Sequence, residues 1–387
     1  MRSMAQLWHL AALLFVAVMS GATLGQEKGD KAPTPDAPPP TRPAADPGRP
    51  AAAEYQRLLE EWKTVLKEMR KVKLQYQASA LADQAKAQTE WNALIEKGNQ
   101  TVAALEAAGL KAFAEAPNED PQLTRFLVKL ADDAIQRDDY AAAKRMTDVL
   151  IEFQCPDKQV YDSAAIAAFV LNDYDLAEKY FKAAKDAGVL STYASRDLEP
   201  SLKEYKELWA KEQVIRDAEA KADDLPRVKL TTSKGTIVLE LFENEAPETV
   251  GNFVSLVEAG KYDGLTFHRV LKNFMAQGGD PKGDGTGGPG YHIYCECYKP
   301  DYRRHFQGSL SMAHAGRDTG GQQFFLTFRQ TPNLNEKHTC FGRVIEGMDV
   351  LVKLQRREGA NSPSPDTIVK AEVVRKRDHV YQPHKVE

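Results

Sequence analysis

LTFHRVLKNFMAQGGD, residues 265–280, is the stretch on which the reading of this chain turns. Two short apolar runs, 265–270 and 274–276, predict neighbouring strands joined by a Leu271-Lys272-Asn273 turn. Gly278-Gly279-Asp280 ends the second run. Strand side chains alternate between faces, so Leu265, Phe267, Arg269 and then Phe274 are expected on one face of a curved sheet. An arginine among large apolar residues needs a partner or a ligand, because guanidinium cannot shed its charge.

Two later runs add comparable surfaces: GSLSMAHAGRDTGGQQFFLTF at 308–328 and PNLNEKHTCFG at 332–342. The pieces FHRV, FMAQGGD, GTGG, SMAHAG, QQFF and KHTCFG stand in the order found in cyclophilin-type peptidyl-prolyl cis-trans isomerases, and this part of the chain resembles that family. Several separate blocks spread over one domain are far more specific than a lone short motif.

The 387 residues suggest two or three domains. Composition is ordinary for a globular protein, with 42% hydrophobic and 27% charged residues. A net charge of -4 and the lack of a long basic stripe give no reason to expect a nucleic-acid partner. Residues 1–25 read as a signal peptide: Arg2 supplies the positive end, 9–18 is mostly apolar, and small residues follow at 20–25. The apolar run is too short for a comfortable span, so no stable membrane span is expected after cleavage, and the expected location is periplasmic or secreted. Residues 26–50, crowded with Pro and Ala, read as an extended tether. Cys155, Cys295, Cys297 and Cys340 would then meet an oxidising compartment. Sequence does not choose among their pairings, and a bridge from Cys340 to Cys295 or Cys297 stands beside unpaired thiols.

Residues 51–116 predict a helical hairpin or coiled-coil segment, with Leu58, Leu59, Trp62, Val65, Leu66 and Met69 on one face and Gly98 and Gly109 as breaks between two or three helices. Within residues 117–223, Asp138-Asp139-Tyr140 aligns with Asn172-Asp173-Tyr174 at an offset of 34, the tetratricopeptide period. Phe181 and Ala184 continue the second unit as that repeat would, whereas the first has Thr147 and Leu150 there. This resembles a pair of tetratricopeptide-like units. It implies a groove for a protein partner, with helical packing alone as the alternative. Residues 202–222 predict a final helix.

Residues 227–376 form the predicted isomerase domain, followed by a tail at 377–387. A hairpin at 228–242 comes first. A helix opened by Pro247 buries Val250, Phe253, Val254 and Val257 and is closed by Gly260. Further strands are expected near 309–312, 323–328, 340–344 and 368–374, with a helix at 348–354. The glycine run 283–290 lacks the helix and Lys-Ser/Thr that phosphate binding needs. The resemblance implies instead a mobile rim of a substrate groove. The predicted class is multidomain: a helical, tetratricopeptide-like N-terminal region and a closed antiparallel eight-stranded β-barrel with capping helices, as in cyclophilins.

The resemblance implies rotation about X–Pro bonds in proline-containing polypeptides, with no cofactor and no metal. It places Arg269 as the catalytic residue. Phe274, Met275, Phe325 and Leu334 fall at the pocket positions, and Gln277 and Gln323 beside them. Ala313 and His314 would pair with substrate backbone as an added strand does, and His338 stands at the pocket edge. Asn333 and His314 depart from the best-known eukaryotic pattern, which carries tryptophan and asparagine there, so weakened cyclosporin binding is implied. His292, Cys295, Cys297 and His305 are metal-ligand types, but their spacing is no established zinc pattern. The implied role is folding of exported proteins. The alternatives are a non-catalytic module that binds proline segments, or a helical-repeat scaffold.

Overall fold

The computed structural model describes residues 49–78, 81–359 and 362–386. The predicted signal peptide and nearly all of the tether therefore lie outside the described residues. The described chain divides into two compact units, one holding residues up to Asp133 with Ala143–Ser163, the other Ala134–Ala142 with Ala164 onward. The helices beyond Ala164 thus share a unit with the predicted isomerase domain.

In the first unit, α1 (Pro50–Ala78) and α2 (Leu81–Glu115) pack along the predicted stripe, which also takes in Tyr55 and Val72. One helix ends at Ala78 and the next begins at Leu81, and neither ends at a glycine. Gly98 and Gly109 lie inside α2 because a neighbour needs their space. An added Cβ would come within 3.1 Å of the Trp62 ring at Gly98 and 3.3 Å of Leu123 and Leu127 at Gly109. The cost of a mid-helix glycine, about 1 kcal/mol relative to alanine, is offset by that close approach.

Helices α3 (Pro121–Gln136), α4 (Tyr140–Glu152), α5 (Val160–Val170), α6 (Tyr174–Asp186) and α7 (Leu202–Ala222) follow. Tyr140 and Tyr174 each open a 13-residue helix, so the 34-residue offset is a repeat of local structure. Among the described residues, no helix is long and apolar enough to cross a membrane.

The strands are β1 (Arg227–Thr232), β2 (Gly235–Leu241), β3 (Arg269–Leu271), β4 (Met275–Gly278), β5 (Ser309–Met312), β6 (Phe324–Thr327), β7 (Cys340–Glu346) and β8 (Ile368–Arg375). They form one antiparallel sheet in the order β3-β4-β6-β5-β7-β2-β1-β8. Among the described residues no ladder joins β3 to β8, and the ends are linked through isolated bridges such as Thr266 with Thr367. The core takes Leu230, Leu239, Phe324 and Phe341 from the sheet, and Val250, Phe253, Val254 and Val257 from helix α8 (Pro247–Glu258). A short helix, α9 (Met348–Leu351), precedes β8. The predicted tail is built into this unit: the Tyr381 hydroxyl donates to Glu243 at 2.9 Å and the Val386 N–H to the His292 carbonyl at 2.9 Å.

Helix α7 is fastened to the sheet by buried charge. Arg303, with 1% of its side chain exposed, donates to Glu212 at 2.7 and 3.1 Å and also to Glu219. Arg343 links Glu219 at 2.8 Å to Glu240 of β2 at 2.6 Å.

Candidate active site

Strand β3 is shorter than its sequence suggests, and this corrects the expected face. Regular alternation starts only at Arg269, so Phe267 and Val270 enter the main core while Arg269 and Leu271 lie across the backbone from Val270. In the β3–β4 ladder Arg269 pairs with Gln277 and Leu271 with Met275, which puts these four on one face. Strand β6 extends the row by setting Phe325 opposite Gln277.

That face opens on a cavity of about 930 Å³ lined by Arg269, Phe274, Met275, Gln277, Ala313, His314, Gln323, Phe325, Leu334 and His338. All ten residues singled out from sequence are thus brought to one cavity. Met275, Phe325 and Leu334 form a small apolar cluster of their own, with Leu271, Phe274 and Ala313 packed against it. The Phe325 ring is steadied on two sides, by the His338 ring edge-on at 5.5 Å and the His305 ring stacked at 6.0 Å.

Arg269 is 39% exposed, and its guanidinium stands 3.4 Å from a carboxylate oxygen of the more exposed Glu358. An exposed pair of this kind is worth about 0–1 kcal/mol, so it leaves the guanidinium available. Gln277 donates to Gln323 at 2.9 Å, and Gln323 donates in turn to the carbonyls of Gly285 and Gly287 at 3.0 and 2.8 Å. The glycine rim is therefore tied to the cavity wall. It is also held by buried Asp280, which accepts the N–H groups of Lys282 at 2.9 Å and Asp284 at 3.1 Å.

His314 and His338 stack at 4.1 Å across the rim. Each donates one ring N–H to a backbone carbonyl, His314 Nε2 to Lys337 at 2.7 Å and His338 Nδ1 to Met312 at 3.0 Å. Burial pushes His338 below its ordinary range. For His314 burial acts the same way, but Cys295 and the Lys337 carbonyl outweigh it and raise the pKa. The Ala313 N–H already donates to the Gln323 carbonyl at 2.9 Å, so a substrate strand here would have to use other backbone groups.

His305 is fully buried, with Nδ1 2.9 Å from Asn335 Oδ1 and Nε2 2.9 Å from Ser311 Oγ. Burial lowers its pKa to about 4. Both ring nitrogens are engaged, which removes it from any metal set with Cys295 and Cys297. All four cysteines are thiols outside any disulfide, including Cys340. Cys295 is held down to about 5 by the Cys297 thiol beside it, against burial and with help from His314 and the Asp318 N–H, whose nitrogen is 3.2 Å from the sulfur.

Pro289, Tyr291, His292, Thr319 and Gln322 also line the cavity and were not picked out as site residues by sequence. They reach it through irregular loops, where no periodicity marks a face.

Residues 227–373 match the family described as cyclophilin type peptidyl-prolyl cis-trans isomerase/CLD. A peptidyl-prolyl cis-trans isomerase of Helicobacter pylori is 50% identical over 148 residues, 37% of this chain and 90% of that protein. Peptidyl-prolyl cis-trans isomerase B of Bacillus subtilis is 54% identical over 113 residues, 29% of this chain and 78% of that protein. A crystal structure of a Cryptosporidium parvum cyclophilin type peptidyl-prolyl cis-trans isomerase aligns at 32% identity with a TM-score of 0.36, covering 40% of this chain and 99% of that one.

Proposed function

This chain belongs to the cyclophilin-type peptidyl-prolyl cis-trans isomerases, and from that premise we propose that Arg269 turns X–Pro bonds seated in the Met275–Phe325–Leu334 slot. Amide resonance sets a barrier of about 18–20 kcal/mol to this rotation. No bond to the chain has to form, and no proton has to leave. The enzyme must bind the half-turned amide better than either planar form.

At the half-turned state the proline nitrogen becomes pyramidal and regains a lone pair. A fixed cationic donor beside it stabilises that state and neither planar one. Arg269 is the donor in this reading, and its freedom from a strong ion pair is what suits it. The proline ring fills the apolar slot, while Gln277 and Gln323 hold the adjoining backbone. His314 and His338 shape the rim and move no proton. One observation carries the reading: a single cavity is lined by both the guanidinium and the apolar cluster.

We place the work of this enzyme on exported polypeptides, in the periplasm or outside the cell, on the strength of Arg2 and the apolar run at 9–18. We read the helices opened by Tyr140 and Tyr174 as tetratricopeptide-like. The test of function is a coupled assay of the full chain on an Ala-Pro tetrapeptide. Catalysed exchange that is lost on Phe325→Ala supports the slot, and exchange at the uncatalysed rate by the parent protein would refute the function.

A further inference from the structure

The 34-residue repeat uses the same turn twice, and both turns lie in the unit that holds the cavity. Asp138 and Asn172 each adopt a left-handed backbone, with φ of 65° and 66°. The following aspartates cap the next helix: Asp139 accepts the Ala142 N–H at 3.1 Å and Asp173 the Leu176 N–H at 3.2 Å. Tyr140 and Tyr174 then fold their hydroxyls back onto Asp138 at 3.1 Å and Asn172 at 2.9 Å. A turn serving only its own helices would be complete at this point.

Each of the two side chains instead has a further partner in the sheet domain. Asp138 is 0% exposed, and its Oδ1 accepts the backbone N–H of Asn273 at 2.9 Å. Asn273 is the turn between β3 and β4, directly before Phe274 and Met275. Asp138 Oδ2 accepts Arg356 Nη2 at 2.8 Å, and the same nitrogen reaches the Arg137 carbonyl at 2.8 Å. The next residue, Arg357, exchanges two backbone hydrogen bonds with Val270, both 2.9 Å, and Glu358 after it faces Arg269. One carboxylate therefore grips the strand of Arg269 from its turn and from its neighbour.

At the second turn the partner is Gln330, 4% exposed. Its Nε2 lies 2.9 Å from Asn172 Oδ1 and 3.1 Å from the Tyr174 hydroxyl and from the carbonyls of Phe169 and Val170. Two residues later begins the Pro332–Leu334 turn that brings Leu334 to the slot.

We propose that Asp138 and the Asn172–Gln330 pair are positioning residues, which set two walls of the proline slot, that of Arg269 to Met275 and that of Leu334, from the two copies of the helical repeat. The proposal rests on the slot reading above. Catalytic geometry has to be held within about 0.5 Å. A turn at the edge strand and a loop between two inner strands do not hold that by themselves, and the two helical turns supply the outer support. The repeat is then part of the isomerase and not an appendage to it.

The experiment uses the full chain at 10 °C, well below melting, and compares the parent with Asp138→Asn, Asp138→Asn/Arg356→Gln, Gln330→Ala and Arg269→Ala. Asp138→Asn keeps an oxygen for the Asn273 N–H but turns an amide donor toward Arg356. The expected result is about a tenfold loss of kcat/KM, carried mainly by kcat. The double variant, which restores an acceptor at position 356, should recover most of it. Gln330→Ala, which loosens the Leu334 wall, should act mainly on KM. Asp138→Asn and Gln330→Ala proteins that melt at lower temperature yet keep kcat/KM within about twofold would overturn the proposal and leave a structural role alone. Should Asp138→Asn not fold, Gln330→Ala decides by the same criterion. Arg269→Ala with parental activity would condemn the slot reading instead, so the two failures are told apart in one series.

Discussion

Glu212→Ala is expected to loosen the whole sheet unit, although Glu212 lies on helix α7, ahead of the first strand, and not in the sheet itself. Its carboxylate accepts two hydrogen bonds from Arg303, at 2.7 and 3.1 Å, and one from Arg216 at 2.8 Å. Arg303 is 99% buried by side chain, stacked 3.7 Å from the centre of the Phe242 ring, and cannot turn to water. Removing one member of a buried ion pair costs about 3–5 kcal/mol, because the other charge stays desolvated. Glu219 still binds Arg303, and Glu245 stands 3.6 Å away, so the low end applies: about 3 kcal/mol. For a unit of this size each kcal/mol moves Tm by about 2–4 °C, giving a fall of roughly 6–12 °C. Circular-dichroism melts of the full chain at pH 7 read this directly. Exposed Glu207→Gln on the same helix is the control and should stay within about 0.5 kcal/mol. A Glu212→Ala melt within about 2 °C of the parent would show that α7 only leans on the sheet, and the buried-charge reasoning would fail.

Other expectations follow from single groups. His305 is neutral in the fold with its pKa lowered to about 4, so between pH 6.5 and 4 the unfolded chain binds more protons. Stability should fall on acidification through that window by roughly 3 kcal/mol, and His305→Gln should flatten the slope; urea midpoints at pH 7 and pH 4.5 check this, and parallel slopes would contradict it. Glu212, held below the usual carboxylate range by Arg303 in spite of burial, adds stability that is lost only at still lower pH. Cys295 should be alkylated by iodoacetamide at pH 7 well before Cys155, Cys297 and Cys340, as peptide mass spectrometry would show; equal labelling would contradict its thiolate character. Glu358→Gln releases Arg269 from an exposed pair and should change kcat/KM by less than about threefold, and a tenfold change would mean that the pair orients the guanidinium.

Much of this molecule is written in local pattern. The stripe from Leu58 to Met69, the helix from Pro247 and the strands from Ser309, Cys340 and Ile368 carry their periods plainly, and each has formed where expected. The strand at 265–270 is different, because alternation fails before Arg269 and Phe267 turns inward to the core. Gly98 and Gly109 read as breaks by propensity, yet tertiary packing uses their missing side chains. The cavity residues were legible as a set through the motif blocks, while Tyr291, Thr319 and the other loop contributors carry no periodic mark. Least legible were Asp138, Gln330, Glu212 and Arg303. Each looks like an ordinary surface polar residue in sequence, and only partners about 90 to 220 residues away make it buried structure.

Arg269 should favour the half-turned amide over both planar forms, and separating binding from turnover isolates that effect. Exchange NMR on an Ala-Pro peptide gives the catalysed cis-trans rate and the peptide Kd in one titration, for the parent and for Arg269→Ala. Arg269→Ala is expected to lower the catalysed rate by roughly 10²-fold with Kd changed by less than about threefold. An unchanged rate, or a loss explained wholly by weaker binding, would contradict it.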